Sequence, residues 1–203
     1  MMQAQVTNMK PPFFAAPLTS LPPITIETER LVLRAVGAGD GQLLFDLYAN
    51  DPVTSKYMSF KVTGRVDESE FFARSVGDFF KGKTDVPIRQ FAWVIQEKSS
   101  GEFIGSAGFG PMNEGTVSGG YILNRNFWGK GYASEVWMRL VQLLQADSGV
   151  KRIEAYHHPE NPASGKVLMR AGMTYEGLRS KGSVYPNVSE DSIPDHLYAW
   201  NRA

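Results

Sequence analysis

Gly129 and Gly131 stand at alternate positions in the stretch Asn124 to Glu135, N-R-N-F-W-G-K-G-Y-A-S-E, and neither carries a Cβ to hold a ligand away from the main chain. The apolar run Gly120-Tyr121-Ile122-Leu123 leads into this stretch as a strand, and an amphipathic pattern beginning near Ala133 leads out of it as a helix. The first amides of a helix have no intrahelical partner and are free to donate to an anion. The stretch therefore reads as a strand-to-helix turn that can cradle a pyrophosphate. Two familiar cradles do not fit it. The P-loop spacing G-x-x-x-x-G-K-[ST] fails because Gly131 is followed by tyrosine and alanine. The dinucleotide fingerprint G-x-G-x-x-G fails because Ser134 takes the third glycine's place, with no acidic residue ending a second strand of a βαβ unit.

A second chemistry-bearing segment is Asn161-Pro162-Ala163-Ser164, where asparagine reads as a helix N-cap, proline as the first helical residue and Gly172 as the stop. Taken alone, Asn161 is only that cap. His157 and His158 are adjacent, so a strand would point them to opposite faces; without cysteine or a further histidine nearby, no zinc site is expected.

The hexapeptide Asn126 to Gly131 resembles the acetyl-CoA loop of the GCN5-related N-acetyltransferases (GNAT), [QR]-x-x-G-x-[GA], with asparagine in the first place. The string W-G-K-G-Y-A-S-E resembles the branch containing ribosomal-protein N-terminal acetyltransferases. T-E-R-L-V-L-R, from Thr28 to Arg34, is how many members open, and Asn161 to Ser164 resembles the family's N-x-x-S helix.

This resemblance implies acetyl-CoA as acetyl donor. It places the amides of Phe127, Trp128, Gly129, Lys130, Gly131, Tyr132 and Ala133 on the pyrophosphate, with the Lys130 ammonium either adding charge or simply solvated. It places the main chain of Tyr121, Ile122 and Leu123 along pantetheine, with an amide, assigned to Leu123, aimed at the thioester oxygen as an oxyanion donor. Asn161 would bond pantetheine. The tyrosine that many members carry seven residues after this asparagine is Leu168 here, which leaves Ser164, or a water it holds, to protonate the leaving thiolate. Ser118 stands where relatives often have a glutamate base; Glu154, His157 and His158 are the alternatives in sequence, and a water relay is the leading one. The family also implies an acceptor wall built from two helices and their connection, Asn50 to Gly64, lined by Tyr57, Met58 and Phe60. Val184 to Asp191 resembles a loop between the last strands that either shapes the acceptor site or is an exposed connection. The acceptor would be a primary amine, such as a protein N-terminal α-amine. The alternatives are an antibiotic or polyamine, which would favour an acidic pocket, and a non-catalytic acyl-CoA-binding regulatory module.

The elements that must hold these residues can be read from periodicity. A strand is expected near Arg30 to Arg34. A helix follows Asp40 as N-cap, with Leu43, Leu44, Leu47 and Tyr48 in one stripe. A second helix should start at Asp67, with Glu70 as its capping-box partner, and bury Phe71, Phe72, Val76, Phe79 and Phe80. Phe91 to Glu97 and Phe103 to Phe109 read as a hairpin about Lys98 to Gly101, and Val117 to Leu123 as the next strand. The helix after the loop should bury Val136, Trp137, Leu140, Val141 and Leu144 and end at Gly149. Arg152 to Tyr156, Met173 to Leu178 and His196 to Trp200 are the remaining strands. The order predicts an α/β (α+β) fold, a mixed and mainly antiparallel sheet flanked by helices, over residues 24–203.

Residues 1–23, with five prolines and the pair Phe13-Phe14, read as an irregular extension; the alternative is that the aromatic pair docks on the domain or on a second subunit of a homodimer. The 203 residues suit one domain, and Lys plus Arg equals Asp plus Glu at 21 each, so no global field points to nucleic acid. No apolar run approaches the roughly 18 residues of a membrane span, and the N-terminus has no basic region followed by an apolar core. A cytoplasmic protein without disulfides is expected.

Overall fold

The computed structural model describes residues 18–62, 64–83 and 85–203; the pair Phe13-Phe14 lies outside them. Among the described residues, eight strands form one sheet in the order β1-β2-β3-β4-β5-β6-β8-β7. They are β1 (Thr25–Glu27), β2 (Leu31–Ala35), β3 (Phe91–Glu97), β4 (Phe103–Asn113), β5 (Thr116–Leu123), β6 (Arg152–His157), β7 (Thr174–Tyr185) and β8 (Ser189–Asn201). The helices are α1 (Gly41–Leu44), continued by a π-helical turn at Phe45–Ala49, α2 (Val66–Phe80), α3 (Tyr132–Ala146) and α4 (Pro162–Arg170). Every neighbouring pair is antiparallel except β5 and β6, as the mixed, mainly antiparallel reading required. Phe91 to Ile95 are all buried, so both faces of the central strands are covered, and Phe79, Phe80, Phe91, Trp93 and Phe109 pack ring on ring there. No helix among the described residues is long and apolar enough to cross a membrane.

The parallel pair is brief. Thr116, Val117 and Ser118 face Arg152, Ile153 and Glu154, and beyond them β5 leaves β6 and stays on β4. Gly119 sits at the parting: a Cβ there would come within 2.3 Å of the Gly108 carbonyl oxygen, so only glycine lets β5 press this closely on β4. β6 meanwhile pairs with β8 along its whole length, from Arg152 with Asn201 to His157 with His196. The sheet is thus split between Gly119–Leu123 on one side and Ala155–His157 on the other.

Several expectations are corrected. The described residues open with two strands, because Thr25–Glu27 pairs with β2 although three residues are too few to show a period. Asp40 occupies the N-cap position without capping; its backbone is α-helical, and its carboxylate holds Arg34 at 2.8 and 2.9 Å and the Gly37 amide at 2.8 Å. Glu70 does not cap its own helix. It accepts from the Gly39 and Gly41 amides at 3.0 Å and so closes the start of α1 across space. Phe71 is 54% exposed, because it shares a face of α2 with Asp67, Glu68 and Arg74 while Ala73, Val76 and Phe80 take the core. α3 ends at Ala146, where the Asp147 carboxylate accepts from the Gly149 amide and from Thr19. That contact and a bond from Trp93 Nε1 to the Pro23 carbonyl (3.0 Å) fasten residues 18–23 to the domain. The last two strands are far longer than expected and form one hairpin that takes in most of the Val184 to Asp191 segment. Three register shifts, together with Pro194 and a run of polar residues, hide its alternation.

Candidate active site

The loop is built as the sequence suggests. Asn124 caps a 3₁₀ turn, Arg125–Phe127, its side chain accepting from the Asn126 amide and donating to the Leu47 carbonyl at 2.8 Å. Trp128 Nε1 donates to the Leu123 carbonyl at 2.7 Å and closes the turn onto the end of β5. Gly131 is the N-cap of α3 in the left-handed region, φ 81°, a conformation costly for any residue with a Cβ. The amides of Phe127 and Trp128 are engaged inside the turn, by the Asn124 and Arg125 carbonyls. Those from Gly129 to Ser134 have no acceptor among the described residues, and they form the donor row. The Lys130 ammonium lies over the Phe127 ring at 4.9 Å.

A buttress holds this row from behind. Glu135, in the first turn of α3, accepts from Thr28 Oγ1 (2.6 Å), the Arg30 amide (2.8 Å) and Arg30 Nε (2.7 Å), while Arg30 Nη1 donates to the Lys130 carbonyl at 3.0 Å. Burial raises the Glu135 carboxyl, and the bonds from Thr28 and Arg30 outweigh it, so the group lies below the ordinary carboxylate range. Arg30 also stacks on Tyr132, whose hydroxyl bonds Glu97. The T-E-R opening and the final glutamate of the loop string, 105 residues apart, are two halves of one contact. Sequence reasoning missed it, although both halves were already singled out.

The split in the sheet opens into a cavity of about 1420 Å³. Tyr121, Ile122, Leu123, Phe127, Trp128, Gly129, Gly131, Tyr132, Ala133, Asn161 and Ser164 all line it, so the structure brings the loop, β5 and α4 together. At its throat the Asn161 side chain, rather than capping α4, donates from Nδ2 to Ser164 Oγ at 3.1 Å. The Tyr121 hydroxyl donates to the same oxygen at 3.3 Å. Burial pushes the Tyr121 phenol up to about 12, with the Ser164 bond opposing. The sequence points to the main chain of β5 and not to this hydroxyl; the available signal is a tyrosine on that strand in a chain with leucine at position 168.

Of the three base candidates, Glu154 is held by Arg152 Nε at 2.7 Å, off the cavity wall. His157 and His158 are buried and do line it. The His157 Nδ1 faces the His158 carbonyl at 2.8 Å, so it carries the proton and leaves Nε2 as the acceptor. The His158 Nδ1 instead accepts from the Glu160 amide at 3.1 Å, and its ring stacks on Tyr57 at 4.7 Å and meets Tyr185 edge-on. Burial lowers both imidazoles below their ordinary value. The unfolded chain therefore binds protons first as pH falls through about 6.5, and the stability present above that value declines toward the lower folded values. Thermal melts are expected to show Tm falling from about pH 7 to about pH 5, with a flatter slope when His157 and His158 are both replaced by glutamine. An equal slope in both chains would refute this.

Over residues 30–174 the chain matches the family described as the acetyltransferase (GNAT) domain. It is 33% identical over 156 residues to the uncharacterized N-acetyltransferase p20 of Bacillus licheniformis, covering 76% of this chain and 84% of that one. It is 27% identical over 165 residues to the [ribosomal protein uS5]-alanine N-acetyltransferase of Escherichia coli (strain K12), covering 78% and 82%. Among solved structures, the microcin C7 self-immunity acetyltransferase MccE, in complex with acetyl-CoA and AMP, shares the fold with a TM-score of 0.75 at 20% identity, over 90% of this chain and 98% of that one. With the donor row, the split sheet and the N-x-x-S helix all in place, the chain belongs to the acetyltransferase (GNAT) family and is an N-acetyltransferase.

Proposed function

We propose that this N-acetyltransferase takes the acetyl group from acetyl-CoA and transfers it to a primary amine, the α-amine of a protein N-terminus. The observation that carries the reading is the row of amides from Gly129 to Ser134, which have no acceptor among the described residues and stand beside the cavity that the split sheet opens. Such a row fits a pyrophosphate: it offers donors only, and the nearby Glu135 carboxylate is turned away onto Thr28 and Arg30. The free edge of Tyr121 to Leu123 would take pantetheine and present an amide at Leu123 to the thioester oxygen, with Asn161 completing the grip. Acetyl-CoA so held supplies an activated acyl carbon. Ser164 would then give a proton to the departing sulfur. An α-amine, with an ordinary pKa near 8 against about 10.4 for lysine, loses its proton to cavity water without a strong base.

The acceptor side of the cavity also supports this reading over a polycation. It is lined by Tyr48, Tyr57, Met58, Phe60, Phe71 and Phe72, and its carboxylates Asp67 and Glu68 are accompanied by Lys61 and Arg89. The uS5-alanine enzyme is named for a protein acceptor.

The decisive experiment is thiol release from acetyl-CoA by the full chain with a panel of amines. Release with peptides bearing a free α-amine, abolished when that amine is blocked, is the expected result. Release only with polyamines or aminoglycosides would replace the acceptor class. A raised Tm with acetyl-CoA but no release with any amine would identify a binding module.

Asn187, in the turn between β7 and β8, sets the acceptor wall. Its Nδ2 donates to the Ser55 and Phe60 carbonyls at 2.8 and 2.9 Å, and its Oδ1 accepts from the Val62 amide at 2.8 Å. These bonds strap the segment carrying Tyr57, Met58 and Phe60 to the hairpin. Each is worth about 1 kcal/mol, so Asn187→Ala is expected to raise the acceptor KM about tenfold and leave the acetyl-CoA KM unchanged. Equal changes in both constants would show that the strap does not belong to the acceptor side alone.

A further inference from the structure

Ser164 Oγ accepts two hydrogen bonds, from the Tyr121 phenol at 3.3 Å and from Asn161 Nδ2 at 3.1 Å. A hydroxyl oxygen has two lone pairs and one proton. With both pairs occupied, the proton is what Ser164 has left to give, and no acceptor for it stands among the described residues. The side chain lies on the cavity wall, so that proton is available to whatever occupies the split.

We infer that Tyr121 is the proton store behind Ser164, a positioning residue that orients the serine hydroxyl toward the cavity and refills it after transfer. The inference rests on the reading of Ser164 as the group that protonates the leaving sulfur. The amine nitrogen forms its bond to the acyl carbon, the carbon–sulfur bond breaks, and its electron pair goes to sulfur. Ser164 gives its proton to that sulfur and takes the phenolic proton of Tyr121 in the same motion. The phenolate regains a proton from water, which has received the one lost by the amine, so atoms and charge balance with water as the only other participant.

The surroundings suit a store. The Tyr121 ring is half-buried against Trp137, with centroids 6.2 Å apart, which fixes the hydroxyl opposite α4. Burial keeps the phenol protonated throughout the working pH range, so it is always loaded. A serine acting alone would have to become an alkoxide at the moment of transfer. The tyrosine spares it that state, and it does so from β5 in a chain whose α4 offers only Leu168 at the corresponding place.

The test is Tyr121→Phe in the full chain, which removes one oxygen and keeps the ring. The kcat for thiol release is expected to fall about tenfold or more, with the acetyl-CoA Kd within about twofold of the parent. In mixtures of light and heavy water, the parent should give a bowed dependence of kcat on deuterium fraction, from two protons in flight, and the variant a straight one. A kcat within about twofold of the parent, or the same bowed dependence in both, overturns the inference. Ser164→Ala separates the two levels: if it leaves kcat unchanged, the serine reading itself falls, whereas a slow Ser164→Ala beside a fast Tyr121→Phe removes only the tyrosine. Should Tyr121→Phe fold poorly, fluorotyrosine at position 121 keeps the hydroxyl and lowers its pKa. A shift of the alkaline limb of the kcat profile to lower pH then supports the inference, and an unmoved profile overturns it.

Discussion

Gly131→Val is expected to weaken acetyl-CoA binding about tenfold to a hundredfold while leaving the domain folded. Gly131 caps α3 at φ 81° and ψ 0°, and a β-branched residue held there carries roughly 1–3 kcal/mol of strain. The chain relieves that strain by rotating the peptide units on either side, which re-aims the amides of Lys130, Gly131 and Tyr132 in the donor row. There is room for the side chain, since the nearest atom to a Cβ is Arg30 Nη2 at 3.5 Å, so the effect is conformational rather than a clash. Strain of that size corresponds to about one to two powers of ten in Kd. Titration calorimetry measures it directly, with a melt as control. A lowered Tm beside an unaltered Kd would mean that the row does not grip the donor.

Asp195→Ala is expected to destabilise the fold by about 3 kcal/mol, or about 6 to 12 °C in Tm for a chain of this size. Asp195 is completely buried in β8 and receives Arg179 Nε and Nη2, both at 2.7 Å, and Ser183 Oγ at 2.8 Å, with the Tyr185 hydroxyl at 3.4 Å. Removing the carboxylate leaves a guanidinium and two hydroxyls without their shared acceptor. Arg179 keeps 27% of its side chain exposed, so solvent recovers part of the loss and the low end of the range for broken buried pairs applies. Ser183 and Tyr185 lie on the cavity wall, so acceptor KM should rise along with the fall in Tm. Asp195→Asn preserves the shape and should lose less. A destabilisation under about 1 kcal/mol would show that the arginine finds water without penalty.

What the sequence made legible was local. The loop's glycines, the Asn161-Pro162 start and Gly172 stop of α4, and the apolar stripe of α3 each depend on turn chemistry or a helical period carried by neighbouring residues, and the structure reproduces them. What stayed hidden depends on pairing across the fold. The parting of β5 from β6 follows from where two distant strands stop sharing a register. Glu70 looks like its own helix's cap and serves another's, because the two possible uses of a carboxylate near a helix start share one sequence signature. Phe71 looked like core because a phenylalanine pair cannot say which member faces solvent. The β7–β8 hairpin carries a buried aspartate and a proline amid polar residues, a pattern that reads as a loop until Arg179 is seen to neutralise it.

The early end of the β5–β6 ladder has a consequence for solvent exchange. On the edge turned to the cavity, the main chain from Gly119 to Leu123 has no neighbouring strand among the described residues, so its outward-facing amides should trade hydrogen for deuterium quickly in the free protein, in the middle of a sheet that otherwise resists. An extended molecule lying in the gap takes the place of the missing strand. Deuterium uptake at these few positions would then report occupancy of the gap, whatever the chemistry at its far end.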